Sequence, residues 1–363
     1  MRVIFRADAS LDIGTGHVMR CLTLADALRV QGAQCVFVCR EHPGNLLDLI
    51  QARGHATHTL PLVAEVGRSV SATGYGGWLG ADWATDAEQT VAAIGGPAVD
   101  WLIVDHYALD ARWEKLAGTA SRHLMVIDDL ANRSHDCDLL LDQNLNRQID
   151  DYAGLIPLHS KIFIGPMFAL LRERFTSLRD YSIGRREQHK LAHILVSMGG
   201  VDKDNLTGKV LNALSHLPLP STCQITVVLG ANAPWISTVQ LQAADMPATE
   251  VLINVQDMAQ LMADSDLAIG AAGSSAWERC CLGLPTLMLV MAENQREAAT
   301  SIESAGAAFA IDSGENLQSE LSSQIAALIK DKNLMKNLTN NALNVTSGHG
   351  CAIMVKALME YQK

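Results

Sequence analysis

Short apolar runs alternate with longer stretches of helical period through most of the chain. Residues 3–5, 34–39, 101–104, 123–127 and 139–141 are rich in Val, Ile and Leu and carry little polar alternation. A second set follows at 192–196, 224–229, 250–253, 267–269 and 286–290. Uninterrupted apolar runs of this length predict strands of a parallel sheet covered on both faces, because neither face meets water. Between them, residues 18–31, 86–94, 258–263 and 274–281 show helical spacing. Strand and helix in alternation predict an α/β fold.

The alternation breaks near the middle. Residues 150–187 hold Pro157, the pair Gly165-Pro166 and the cluster Arg172-Glu173-Arg174, after which a new strand, glycine turn and helix begin. The pattern predicts two Rossmann-like domains, at 1–155 and 186–345, joined by a linker at 156–185. Residues 346–363 form a terminal helix that is a candidate to pack back on the first domain. A length of 363 residues agrees with two domains.

Composition removes several classes. Apolar residues make up 48% of the chain and charged residues 18%, which excludes disorder. The net charge of −11 gives no global field to draw a nucleic acid or an anionic membrane, so phosphate binding has to be local. The eight cysteines contain no CxxC pair and sit mostly in apolar stretches, which predicts buried, reduced thiols. The absence of a signal-like segment and of a long apolar run places the expected protein in the cytoplasm, without a membrane span.

Candidate chemistry gathers at strand ends, where open α/β sheets bind their ligands. The segment from Arg6 and Asp8 through Gly14, Thr15, Gly16 and His17 joins the first strand to a helix. Its spacing is not that of a dinucleotide fingerprint. The helix start suits an anion and disfavours an imidazolium, so His17 reads as a neutral base; a surface or capping histidine is the competing reading. Asp105-His106-Tyr107, Asp128-Asp129 and Asp142-Gln143-Asn144 follow later strands and could bond sugar hydroxyls or brace loops. No third ligand with metal spacing accompanies Asp128-Asp129. In the second half, Ser197 to Asp202 with Gly199 and Gly200, the turn at Gly230, and Gly270 to Glu278 repeat the pattern of strand, small-residue loop and helix. Asn294 and Gln295 add amides after the 286–290 strand.

Together these residues resemble, from end to end, the family of UDP-2,4-diacetamido-2,4,6-trideoxy-β-L-altropyranose hydrolases of pseudaminic acid biosynthesis. The motifs that carry the likeness are Arg6-Ala7-Asp8, residues 13–20, residues 104–107, and residues 127–133 continuing to Asn144. The second half is similar to the nucleotide-binding domain of the lipid II N-acetylglucosaminyltransferase, through residues 254–258 and 273–278. The resemblance implies a GT-B fold, two Rossmann-like parallel-sheet domains facing a cleft. It implies His17 as general base in an inverting hydrolysis of a UDP-sugar. Arg6, Asp8, Gly14, Gly16, Asp105, His106, Tyr107, Asn294 and Gln295 are then candidate substrate contacts. Gly199, Gly200, Gly230, Val255, Met258, Gly273, Ser274, Ser275 and Glu278 are candidate UDP contacts, with Glu278 on the ribose. No metal and no cofactor are called for, and the expected partner is the small-molecule substrate alone, bound by a monomer. A GT-B glycosyltransferase and a UDP-sugar epimerase are the competing activities; a nucleotide-sugar sensor is the competing class. Residues 64–85, including Gly74-Tyr75-Gly76-Gly77-Trp78, match the family least.

Overall fold

A computed structural model describes residues 1–63, 74–187, 191–291, 293–314 and 316–361, with Glu293 and Asn294 described by backbone alone. The chain divides into two compact units, Met1–Leu170 with Gly350–Lys363, and Leu171–His349. The first holds seven parallel strands: β1 (Arg2–Ala7), β2 (Gln34–Arg40), β3 (Ala56–Leu60), β4 (Val99–Asp105), β5 (Ser121–Ile127), β6 (Leu139–Asp142) and β7 (Lys161–Ile164). Their order is β3-β2-β1-β4-β5-β6-β7, so the winding reverses between β1 and β4. The second unit holds β8 (His193–Ser197), β9 (Gln224–Leu229), β10 (Thr249–Ile253), β11 (Leu267–Ala271), β12 (Thr286–Val290) and β13 (Phe309–Asp312). They lie in the order β10-β9-β8-β11-β12-β13 and reverse between β8 and β11. Such reversals open a crevice beyond the carboxyl ends of the two central strands, the usual place for a ligand.

Strand alternation explains the unbroken apolar runs. Val3 and Phe5 of β1 join one core with Phe37, Ile103 and the helix Gly16–Val30. Ile4, between them, joins a second core on the other face with Val38, Leu102 and Val104. Both faces are dry, and each large side chain so buried contributes about 1.5–3 kcal/mol. The unpredicted strands are β3, β7 and β13, each at a sheet edge. β3 is polar and largely exposed, while β7 and β13 are apolar but only four residues long and partly exposed, so the signal of a covered strand is weak there. All eight cysteines are buried and free.

Residues 156–185 are divided between the units: β7 belongs to the first, while the helices Glu173–Ser177 and Arg179–Arg186 belong to the second. The helix Gly350–Met359 returns to the first unit. Trp101 of β4 donates its indole N–H to the Leu358 carbonyl at 3.2 Å, and its ring lies 5.1 Å from that of Tyr361. The helix starts at glycine for a steric reason: a Cβ on Gly350 would sit 2.3 Å from the carbonyl carbon of Phe168. No helix among the described residues is long and apolar enough to cross a membrane.

Candidate active site

At the winding reversal of the first sheet, β1 runs out through Asp8 and the loop turns at Gly14, whose φ of +78° suits a residue without a side chain. The helix that follows starts at Gly16. Its N-cap, Thr15, makes no side-chain cap, and its first turn holds no acid. His17 is therefore placed at an uncompensated helix start, with its ring nearly buried. Asp105, the last residue of β4, reaches His17 Nδ1 at 2.6 Å through Oδ1. An ionised carboxylate only accepts, so in the neutral ring Nδ1 carries the proton and Nε2 is left as the acceptor. Burial works against the charge on Asp105, but Arg20 and His17 outweigh it and hold this carboxyl far below its ordinary range.

Arg20 lies one turn further along the helix. Its Nε donates to Asp105 Oδ2 at 2.6 Å and its Nη2 to Asp105 Oδ1 at 2.7 Å. The same guanidinium reaches Asp129 at 2.8 Å. Asp129 Oδ2 in turn accepts the Tyr107 hydroxyl at 2.8 Å. The Tyr107 ring meets the His17 ring edge-on, with centroids 4.6 Å apart. Trp78 stacks on Tyr107 at 5.8 Å, and Tyr75 contacts both rings. Three aromatic rings thus stand beside the imidazole, and such faces suit the apolar face of a sugar. Asp129 was expected only as a strand-end polar group and Arg20 only as part of the 13–20 motif, while Tyr75 and Trp78 stood out only as two aromatics in a glycine-rich turn.

Arg6 and Asp8, expected at the substrate, lie instead in a dry layer below it. Neither has any exposed surface. Arg6 forks onto both Asp8 oxygens at 2.6 and 2.8 Å and onto Asp86 at 2.7 and 3.1 Å. Arg40 and the Trp113 indole complete the cluster on Asp86. Every donor that faces these acids comes from the protein, so they brace the ends of β1 and β2. His106 is also buried; its Nδ1 accepts the Ala108 amide at 3.1 Å and its Nε2 lies 3.4 Å from Asp8. Burial pushes its pKa down.

Beyond β5 and β6, Asp128 and Asp142 share one tyrosine. Tyr152 Oη is 2.9 Å from an oxygen of each. A hydroxyl has one proton to donate, so the second contact is favourable only if that carboxyl is itself protonated. Asp128 is held down to about 2: burial opposes ionisation, but Arg133 at 2.7 Å overcomes it. Asp142 is pushed up to about 7 by burial and by the charge of Asp129. A carboxyl whose proton is retained in the folded state but lost near pH 4 in the unfolded chain destabilises folding as pH rises from about 4 to 7, by about 4 kcal/mol at most. Asp142→Asn is therefore expected to gain stability relative to the parent across that window and to hold the gain above it. Urea unfolding of both proteins at a series of pH values checks this; a pH-independent difference contradicts it.

In the second unit the predicted residues line the carboxyl ends of β8 to β12. Asp202 accepts the amides of Leu206 and Thr207 at 2.8 and 3.0 Å, and Asn205 caps Gly208 at 3.1 Å. These side chains occupy the start of the helix Leu206–Ser215, leaving the loop backbone at Gly199 and Gly200 as the open surface. A Cβ on Gly199 or Gly273 would meet nothing within 4 Å. Gly230 is the opposite case, pressed against the Gly200 carbonyl. Ser274 precedes the helix Ser275–Cys281 and caps no amide. Arg279, buried below, donates to the Ala271 carbonyl at 2.7 Å and to Ser275 Oγ at 3.0 Å, pinning this loop from inside. Glu278 is half buried; burial raises its pKa while Arg172, 3.6 Å away, opposes the rise. Val255 is half buried after β10, and Met258 opens the helix Met258–Asp264. Gln295 turns its side-chain oxygen back to the Met291 amide at 3.1 Å. The side chain of Asn294 lies outside the described residues. Among the described residues, no three His, Cys, Asp or Glu side chains gather in a metal-binding group.

Comparison with known proteins agrees with this layout. Residues 193–352 match the glycosyltransferase family 28 C-terminal domain. The UDP-2,4-diacetamido-2,4,6-trideoxy-beta-L-altropyranose hydrolase of Campylobacter jejuni is 26% identical over 306 residues, 84% of this chain and 97% of that protein. The spore coat polysaccharide biosynthesis protein SpsG of Bacillus subtilis is 29% identical over 204 residues, 56% of this chain and 59% of that one. The crystal structure of Acinetobacter baumannii MurG superposes with a TM-score of 0.66, at 18% identity, over 99% of both chains. The fold is that of the GT-B proteins, two α/β units each built on a parallel sheet. Residues 193–352 are thus similar to the glycosyltransferase family 28 C-terminal domain, the fold is GT-B, and the chain resembles the UDP-diacetamido-trideoxy-altropyranose hydrolase over most of its length.

Proposed function

We propose that this protein hydrolyses the anomeric C–O bond of UDP-2,4-diacetamido-2,4,6-trideoxy-β-L-altropyranose, giving UDP and the free sugar with inversion. The observation that carries the reading is the Asp105-backed imidazole of His17 beside three aromatic rings at the β1–β4 reversal. In the reaction, His17 Nε2 takes a proton from a water as its oxygen attacks C1. The C1–O bond to UDP breaks on the opposite side, and its electron pair passes to the diphosphate. Asp105 keeps Nδ1 protonated and stabilises the imidazolium that forms. The transition state resembles an oxocarbenium ion, as in glycoside hydrolysis generally. A diphosphate leaves without a protonating acid, so oriented amides suffice for its developing charge. The loops at Gly199-Gly200 and Gly273–Ser275 would supply them, with Glu278 on the ribose hydroxyls and the Val255 backbone beside the uracil. Tyr107, Trp78 and Tyr75 would meet the sugar, while Arg6 and Asp8 support the strand ends below. Asn294 would add a further contact to the substrate.

Proton NMR of the protein with the UDP-sugar alone tests the reading. Free sugar appearing first as the inverted anomer, with UDP in equal amount, is the expected result. The family 28 domain favours one other reading, transfer of the sugar to an acceptor. Substrate that persists until an acceptor is added would establish transfer, and return of an epimeric UDP-sugar would establish epimerisation.

A further inference from the structure

The contacts around the imidazole close into a ring. His17 binds Asp105, Asp105 binds Arg20, Arg20 binds Asp129, Asp129 accepts the Tyr107 hydroxyl, and the Tyr107 ring packs back on His17. Arg20 is the cation of this ring and joins its two carboxylates. It is nine-tenths buried, so its charge is weakly screened. The fork covers both oxygens of Asp105, including Oδ1, which also faces His17. The charged and titratable groups around the imidazole are few. Its own helix offers Arg20 and Cys21, whose Sγ is 3.6 Å from Asp105. β4 and the loop after it offer Asp105, His106, which is turned toward Asp8, and Tyr107. The end of β5 offers Asp129, and the turn before residue 79 offers Tyr75, beside Trp78.

We infer that Arg20 is a positioning residue for the base, holding Asp105 against His17 and Asp129 against Tyr107 while sharing the charge of Asp105. An Asp105 carboxylate paired with His17 alone would bind the imidazolium more tightly, and the ring would keep its proton at a pH where it has to accept one. Removing Arg20 also removes a nearby positive charge and frees Asp129, and both changes act in the same direction. The inference rests on the hydrolase reading for its catalytic meaning, but its first readout needs no substrate.

The test uses the full chain with Arg20→Met and Arg20→Lys. Histidine-labelled protein is titrated by NMR, with His17→Gln assigning the resonance, and kcat and KM for the UDP-sugar are measured across the same pH range. Arg20→Met is expected to raise the His17 midpoint by about one pH unit, a tenfold gain in proton affinity. Below that midpoint kcat should fall by up to about tenfold and converge on the parental value above it, with KM and UDP affinity within about threefold. Arg20→Lys keeps the charge but loses the fork, so its midpoint should move less while kcat still falls. A His17 midpoint in Arg20→Met equal to that of the parent, or a kcat reduced by one factor at every pH, would overturn the inference. Should Arg20→Met fail to fold, an Arg20→Lys protein with parental kcat and midpoint would overturn it. A parent protein that releases no sugar, while Arg20→Met still moves the midpoint, would sink the hydrolase reading and uphold the part given to Arg20.

Discussion

Replacing His17 by alanine is expected to lower turnover of the UDP-sugar by about 10²–10⁴-fold, the usual contribution of a general base. Affinity for UDP should stay within about threefold, since the nucleotide is assigned to loops of the second unit and the imidazole to the first. The geometry makes the prediction sharp. Nδ1 is spent on Asp105 at 2.6 Å, so the ring has one nitrogen with which to act. Alanine leaves Asp105 still covered by Arg20, so the fold should tolerate the change. Single-turnover kinetics with calorimetric UDP titration separate the outcomes. A variant that loses UDP binding and turnover together would make His17 a ligand contact, and one that keeps its turnover would remove the base from the mechanism.

The second large effect is expected at Gly230→Ala. The loops after β8 and β9 meet backbone to backbone: a Cβ on Gly230 would lie 2.0 Å from the Gly200 carbonyl oxygen and 2.8 Å from its carbon. No rotamer relieves this, because the obstacle is main chain, so the Gly199-Gly200 loop has to move. Overpacking of this kind costs about 1–3 kcal/mol and displaces the open amides at Gly199. The expected outcome is a fall in UDP affinity of about tenfold or more together with a lower urea midpoint. Retained affinity at lowered stability would remove this loop from the nucleotide site. Paired with His17→Ala, which should spare UDP affinity and lower turnover, the two variants separate holding from reacting.

The central strands were legible because burial on both faces writes an unbroken apolar run, as at 101–104 and 286–290. Of the edge strands, β3 carries Thr and His on its open positions and reads as polar sequence, while β7 and β13 offer only three apolar residues each, too short a run to stand out. Within the site, the residues that touch His17 come from places no local spacing connects. Asp105 is 88 positions away, and Asp129 is 109 positions from Arg20. A polar residue after a strand is visible in sequence, but not whether it faces the crevice or the layer beneath. Asp105 and Asp8 look alike there, yet one backs the imidazole and the other is locked to Arg6. Tyr75 and Trp78 were hidden for a simpler reason: a short turn rich in glycine has no periodicity to read.

The return of the helix Gly350–Met359 to the first unit has a consequence for biosynthesis. On the ribosome, the first unit is translated first yet lacks its covering helix until 179 intervening residues, 171–349, have been added. At about 5–20 residues per second, that is a delay of roughly 10–35 s. Meanwhile the patch that later receives Leu358 and Met354 is left wet. The amino-terminal unit thus completes its core only after the chain's last helix is made, whereas the second unit, continuous in sequence, is free to mature before it.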